Sequence, residues 1–150
     1  MSSRFKRQKV NGGVEGLRKR VKTSGTVDVG IIDAGEHDSG DDTVAQVGFA
    51  NEFGTATIPE RSFMRSTFIE KKEEIVKLKK ALLKKITAGD ISLNTALGLL
   101  GEKASDLIAQ KIIKLKEPPN SPATIARKGS SNPLVDTGQL HKSITYEVNR

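Results

Sequence analysis

Apolar positions recur along this chain with two periods, and the switches between them lay out its elements. Val14, Leu17 and Val21 stand at i, i+3 and i+7, the spacing of one helical face, and predict a short helix over about Gly13–Lys22, stopped by Ser24-Gly25. Thr26 to Asp33 is β-branched and alternating, which predicts a strand. Val44, Gln46 and Gly48 alternate against Ala45, Val47 and Phe49, and predict a second strand, antiparallel to the first across the acidic loop Ala34–Thr43. From Glu60 the period lengthens. Phe68, Ile75, Leu78, Leu82 and Ile86 hold one face of a helix that Gly89 ends. Asp90 or Ser92 caps a second helix, with Leu97, Leu100, Ala104, Leu107 or Ile108, Lys111 or Ile112, and Leu115 along one side, ending before Pro118-Pro119. His141 to Val148 alternates once more, with Ile144, Tyr146 and Val148 on one side, as a final strand.

These elements predict an α+β fold: a small antiparallel sheet of three to four strands packed against two long helices, with a basic N-terminal arm and long loops. Residues 1–25 read as the arm and its short helix, and 26–150 as a single domain. Two connections are long for a compact domain: Ala34–Thr43, and Glu117–Gly138 with four of the five prolines. Loops of such length commonly bind something or lack order. The most heavily punctuated stretch is Val44–Phe68. It breaks at Asn51-Glu52-Phe53-Gly54, passes a Thr-rich loop to Pro59, and carries Arg61 and Arg65 into the helix. It also holds four of the five phenylalanines, Phe49, Phe53, Phe63 and Phe68, which assigns it much of the large core-forming area.

Composition narrows the function. The chain has no cysteine, which excludes disulfides and thiolate metal sites. No apolar run approaches the ~20 residues that span a bilayer, and the first residues lack the apolar centre of a signal peptide; the expectation is a soluble chain without a leader. The net charge of +7 is uneven: residues 1–25 hold eight basic residues and one acidic one, and the rest is balanced at seventeen of each. The basic arm, with Arg4, Lys6, Arg7 and Lys9, is therefore a candidate contact for DNA or an acidic partner. The balanced body offers no basic face with interleaved aromatics.

No catalytic constellation emerges. The two histidines, His37 and His141, stand in an acidic loop and after a Thr-Gly turn, and no serine lies in a G-x-S-x-G elbow. The glycines match neither a Walker loop nor a dinucleotide fingerprint. Neither a metal nor a cofactor is expected, and the chain does not read as an enzyme.

Two segments carry a resemblance when taken together. The first is Asn51-Glu52-Phe53-Gly54-Thr55 followed by Ile58-Pro59-Glu60-Arg61-Ser62-Phe63-Met64-Arg65. The second runs from Pro119-Asn120-Ser121-Pro122 through Lys128-Gly129 to Pro133-Leu134-Val135-Asp136-Thr137-Gly138-Gln139-Leu140 and Ser143-Ile144. In order and spacing they resemble the tailed-bacteriophage neck and tail-completion family, also called tail-terminator, head–tail joining or virion morphogenesis proteins. Ser62 departs from the family, which often has a second proline or another small residue there, and the basic arm lies outside the pattern.

The resemblance implies a non-enzymatic virion protein, assembled in the host bacterial cytoplasm. It implies a homo-oligomeric ring of about six or twelve copies that completes the tail and joins it to the head. Neighbouring neck and tail-tube proteins would be its partners, with DNA in the channel and no membrane. It places the contacts with partners or with other copies at Glu52, Phe53, Gly54, Arg61, Arg65, Asp136, Thr137 and Gly138. On the residues alone, Arg61 and Arg65 oppose the dipole of the helix they start. They therefore suggest pairing with a carboxylate such as Glu52, of the same or a neighbouring subunit. Asp136-Thr137-Gly138 reads as a corner that aims the last strand.

Overall fold

The computed structural model describes residues 12–32, 34–38 and 42–149. In chain order they form α1 (Gly13–Lys22), β1 (Thr26–Ile31), α2 (Val44–Phe53), α3 (Met64–Glu70), α4 (Lys72–Ala88), α5 (Leu93–Lys114), α6 (Pro122–Lys128), α7 (Gln139–Lys142) and β2 (Ile144–Asn149). The arm cations Arg4, Lys6, Arg7 and Lys9 lie outside the described residues.

The expected sheet of three to four strands is not what forms. Among the described residues the sheet has two strands, β1 and β2, antiparallel with Thr26 opposite Asn149 and Ile31 opposite Ile144. The segment expected as the second strand is the helix α2. Its cause is local. The Thr43 hydroxyl accepts the Gln46 N–H at 3.2 Å, and the Gln46 side chain accepts the Thr43 N–H at 2.7 Å, a reciprocal capping box that satisfies two otherwise unpartnered donors. Val44, Gly48 and Glu52, four residues apart, form its buried face. Among the described residues the loop before α2 carries one β-bridge, Glu36 to Thr43.

The layering differs from expectation as well. One helix, α5, covers the sheet, and α4 lies on α5 rather than on the strands. Close approach explains how one helix suffices. A side chain at Gly101 would place its Cβ 2.5 Å from the Tyr146 ring and 2.8 Å from Val27, so the strands settle directly onto the backbone of α5. The main core gathers Val44, Phe63, Ile108, Ile112, Leu134, Leu140 and Ile144; a smaller one joins Leu82 and Ile86 of α4 to Ala96. Of the four phenylalanines in Val44–Phe68, only Phe63 is core. Phe49, Phe53 and Phe68 are exposed, so the expected inward turn of Phe68 does not occur.

The helix expected from Glu60 begins at Met64 and turns at Lys71, where α3 passes into α4. Its end at Gly89, with φ 85°, is as expected, and Ser92 rather than Asp90 caps α5 by accepting the Thr95 N–H at 3.0 Å. The connection Glu117–Gly138 is not irregular throughout. Ser121 caps α6 with Pro122 in its first turn, where a missing N–H costs nothing. No helix among the described residues is long and apolar enough to cross a membrane.

The packing of the sheet on α5 is checked by two glycines. Gly101→Ala should cost about 2 kcal/mol, because its methyl meets the base of the Tyr146 ring and a Val27 methyl, both held by the strands. Gly98→Ala, whose Cβ would have nothing nearer than 3.8 Å, should instead stabilise by up to about 1 kcal/mol through helix propensity. Urea unfolding of the two variants reads the difference; equal effects would contradict this packing.

Candidate functional site

The last turn of α2 sets Glu52 beneath the first turn of α3. A helix start leaves several N–H groups without partners, and Phe63, at the N-cap position of α3, has no side chain able to accept one. Glu52 takes this role from eleven positions away. One carboxylate oxygen accepts the N–H groups of Phe63 at 2.7 Å and Met64 at 2.8 Å. The other accepts the Arg65 N–H, the Ser62 hydroxyl and the Arg65 Nε, each at 3.0 Å. Glu52 is 4 % exposed, and burial alone would raise its pKa. The backbone N–H groups of Arg65 and Met64, the Ser62 hydroxyl and the Arg65 guanidinium outweigh burial and hold the carboxyl below its ordinary value of 4.5.

The turn that brings these groups together is tightly built. Gly54 has φ 75°, and a Cβ there would lie 2.9 Å from the Glu60 nitrogen, so only glycine fits. The Thr55 hydroxyl accepts the N–H groups of Thr57 and Ile58 at 3.2 and 3.0 Å, and the Arg61 N–H donates to the Asn51 carbonyl at 2.7 Å. Asn51 and Arg61 thus close the loop on themselves.

Arg61 ties this corner to the second signature segment. It is 4 % exposed and donates to the carbonyls of Pro118 at 2.8 Å and Pro119 at 3.0 Å, and to the side-chain oxygens of Asn120 at 3.0 Å and Asn51 at 3.1 Å. These partners are neutral, so burial lowers its pKa without an opposing anion. The expected pairing of an arginine with Glu52 therefore belongs to Arg65, within the same chain, and not to Arg61. Between the two segments lies a cleft of about 520 Å³ that Arg61, Asn120, Lys128, Leu134 and Asp136 help to line. Burial lowers the pKa of Lys128; Asp136 opposes that shift, while Arg61 and Arg127 add to it.

The Asp136-Thr137-Gly138 corner is a turn. Gly138, buried and with φ 82°, begins α7, and the Thr137 hydroxyl accepts the Gln139 N–H at 3.4 Å. Asp136 and Thr137 are exposed. Gln139 fastens the acidic loop by donating to the Glu36 carbonyl at 2.9 Å and accepting the Asp38 N–H at 2.9 Å.

What faces outward is aromatic. Phe49 and Phe53 stand one turn apart on α2, 66 % and 48 % exposed, with ring centroids 4.7 Å apart. The Arg65 guanidinium lies over the Phe53 ring at 4.6 Å and also pairs with Glu60 at 2.7 Å. Of the eight residues the sequence assigned to contacts, Glu52, Phe53, Gly54, Arg61 and Arg65 form one corner, and Asp136, Thr137 and Gly138 line the far side of the adjoining cleft. Sequence reasoning missed Asn51, which serves Arg61 twice, and the outward role of Phe49. Among the described residues, no cluster of three or more His, Asp or Glu side chains is placed to hold a metal. Compared with family models, curated proteins and solved structures, the chain shows no match.

Glu52→Gln preserves the shape of the side chain but turns an amide toward donors. It should cost roughly 3 kcal/mol, the scale of breaking a buried, charge-assisted network. The lowered pKa means that the native carboxylate remains ionised where the unfolded one takes a proton. Its stabilisation is full above pH 4.5 and fades as pH falls through the lowered native value. Wild type should therefore lose part of its advantage over Glu52→Gln in acid unfolding titrations below that pH. A constant gap between the two would contradict the assignment.

Proposed function

We propose that the chain is a non-enzymatic structural subunit of a tailed-bacteriophage virion. In this reading it forms a ring at the neck or tail end that completes the tail and joins it to the head. The order of its two sequence segments supports the reading, and so does their meeting in space, where Arg61 bonds the Pro118-Pro119-Asn120 turn.

The observation that carries it is the division of labour at the corner. The charged groups Glu52 and Arg61 are buried and engaged by their own chain, while Phe49 and Phe53 stand in solvent beside them. A soluble chain that kept such an aromatic pair for stability would turn it inward. Exposed aromatic clusters on a rigid support are the usual anchors of protein interfaces. The two-stranded sheet supports the same reading, since β1 and β2 each have a margin without a partner strand among the described residues. Such margins can accept a neighbouring chain, and two unlike surfaces are what a closed ring requires.

The test uses Phe49→Ser with Phe53→Ser in an otherwise intact phage. Both positions are exposed, so the purified variant should unfold within about 1 kcal/mol of wild type. Lysates should nevertheless contain unjoined heads and tails, or tails with abnormal ends, and plaque counts should fall by orders of magnitude. Normal particles and titres from a folded variant would contradict the proposal.

A further inference from the structure

Charge within the body of the chain is balanced in number and segregated in space. Seven of its seventeen basic residues fall between Lys71 and Lys85. From Ile75 to Gly89 there are five lysines and no acidic residue. Lys77, Lys80 and Lys84 are spaced three and four apart, so they share one face of α4, and with Lys72 and a single acid, Glu73, they line one shallow groove that keeps an excess of positive charge. All four lysines are exposed and form no ion pair among the described residues. Of the two acids in the first turn of α4, Glu73 offsets one of these four charges, while Glu74 is taken by Lys103 of α5 at 2.7 Å and by Lys71 at 3.8 Å.

A solvated surface helix ordinarily alternates acids and bases, because opposite charges one turn apart stabilise it and like charges destabilise it by a few tenths of a kcal/mol per pair. The helix dipole accounts for Lys84 and Lys85 in and beside the last turn of α4 but not for Lys77 and Lys80 nearer its middle. The arrangement is thus slightly unfavourable for the folded chain alone and favourable once an anion lies along it. At the C-terminal end of α4, α1 adds to the same field. Its Arg20 donates to the Thr87 carbonyl at 3.3 Å, and Arg18, Lys19 and Lys22 beside it are exposed.

We infer that the solvent face of α4, extended by α1, is a docking surface for the phosphate backbone of duplex nucleic acid. Lys77 and Lys84 lie about 10 Å apart along the helix axis, a span that meets several phosphates of a duplex. No aromatic side chain belongs to α1 or α4, so base stacking is not offered and the contact is with the backbone, independent of sequence. An anionic membrane fits less well. A helix that lies in a membrane needs a broad free apolar face; the main apolar face of α4, with Leu78, Leu82 and Ile86, is packed against α5, which leaves Val76 and Leu83 as its exposed large apolar side chains. This surface is separate from the Phe49–Phe53 corner and does not depend on the virion reading.

The experiment titrates the full-length protein into a fluorescent random-sequence DNA duplex at several salt concentrations. Two full-length variants accompany it: Lys77→Gln with Lys80→Gln and Lys84→Gln, and Arg4→Gln with Lys6→Gln, Arg7→Gln and Lys9→Gln. The α4 variant should remain folded with an unchanged or slightly higher Tm. Its affinity at low salt should fall about tenfold or more, and its salt slope should decrease by roughly 2 to 3, near 0.9 for each lost phosphate contact. The arm variant should retain a salt-dependent affinity that the α4 substitutions then remove. The inference is overturned if wild type does not bind the duplex at low salt, or if the α4 variant binds with unchanged affinity and slope. Tighter binding of wild type to phosphatidylglycerol vesicles than to the duplex would also overturn it.

Discussion

A single buried carboxylate organises the part of this protein that faces outward. Glu52 closes the start of α3 by accepting three consecutive backbone N–H groups, and it does so from the end of α2. Helix starts are commonly capped by a residue adjacent in sequence; here the cap joins two helices across a ten-residue turn. The position of α3, and through it of α4, therefore depends on an interaction that exists only when the turn is closed. Gly54 permits that closure by bringing the chain within reach of Glu60, and Arg61 extends it to the Pro118–Asn120 turn.

This constraint gives the charged corner its character. Groups that might have reached for a partner are already satisfied: Glu52 has no unused oxygen facing solvent, and four of Arg61's donor bonds end within the chain. What the closed corner leaves displayed is chiefly the Phe49–Phe53 pair with Arg65 over one ring. Aromatic side chains supply large contact area at low entropic cost. A rigid corner beneath them reduces the ordering that binding must impose. Such a surface is suited to contact with a partner.

Much of the helical part was legible in the sequence. The apolar spacing over Leu97 to Leu115, the Ser92 cap and the Gly89 stop are local signals, and each locates its element. The largest departure, a helix in place of a strand at Val44, was also written locally. Thr43 and Gln46 stand three apart before an apolar residue, the signature of a capping box. The apparent alternation of Val44 to Phe49 competes with it over only six residues, and helix packing against β1 and α7 decides the outcome. Once α2 is a helix, the exposure of Phe49 and Phe53 follows, because Val44, Gly48 and Glu52 occupy the inner face. What no local pattern carried is the partner of each charge. That Arg65 meets Glu52 while Arg61 meets carbonyls depends on how a turn and a distant proline-rich loop close together.

The central claim is that the Glu52 network forms within one chain and leaves the aromatic face of α2 free for assembly. Amide hydrogen exchange on the purified protein, dilute and then concentrated enough to assemble, tests it most directly. The account predicts that the amides of Phe63, Met64 and Arg65 are protected in both conditions, while those of Val47 to Phe53, already hydrogen-bonded within α2, gain further protection on assembly. Free exchange at Phe63 to Arg65 in the dilute protein, lost only when copies associate, would show that the network is made between chains and contradict the account.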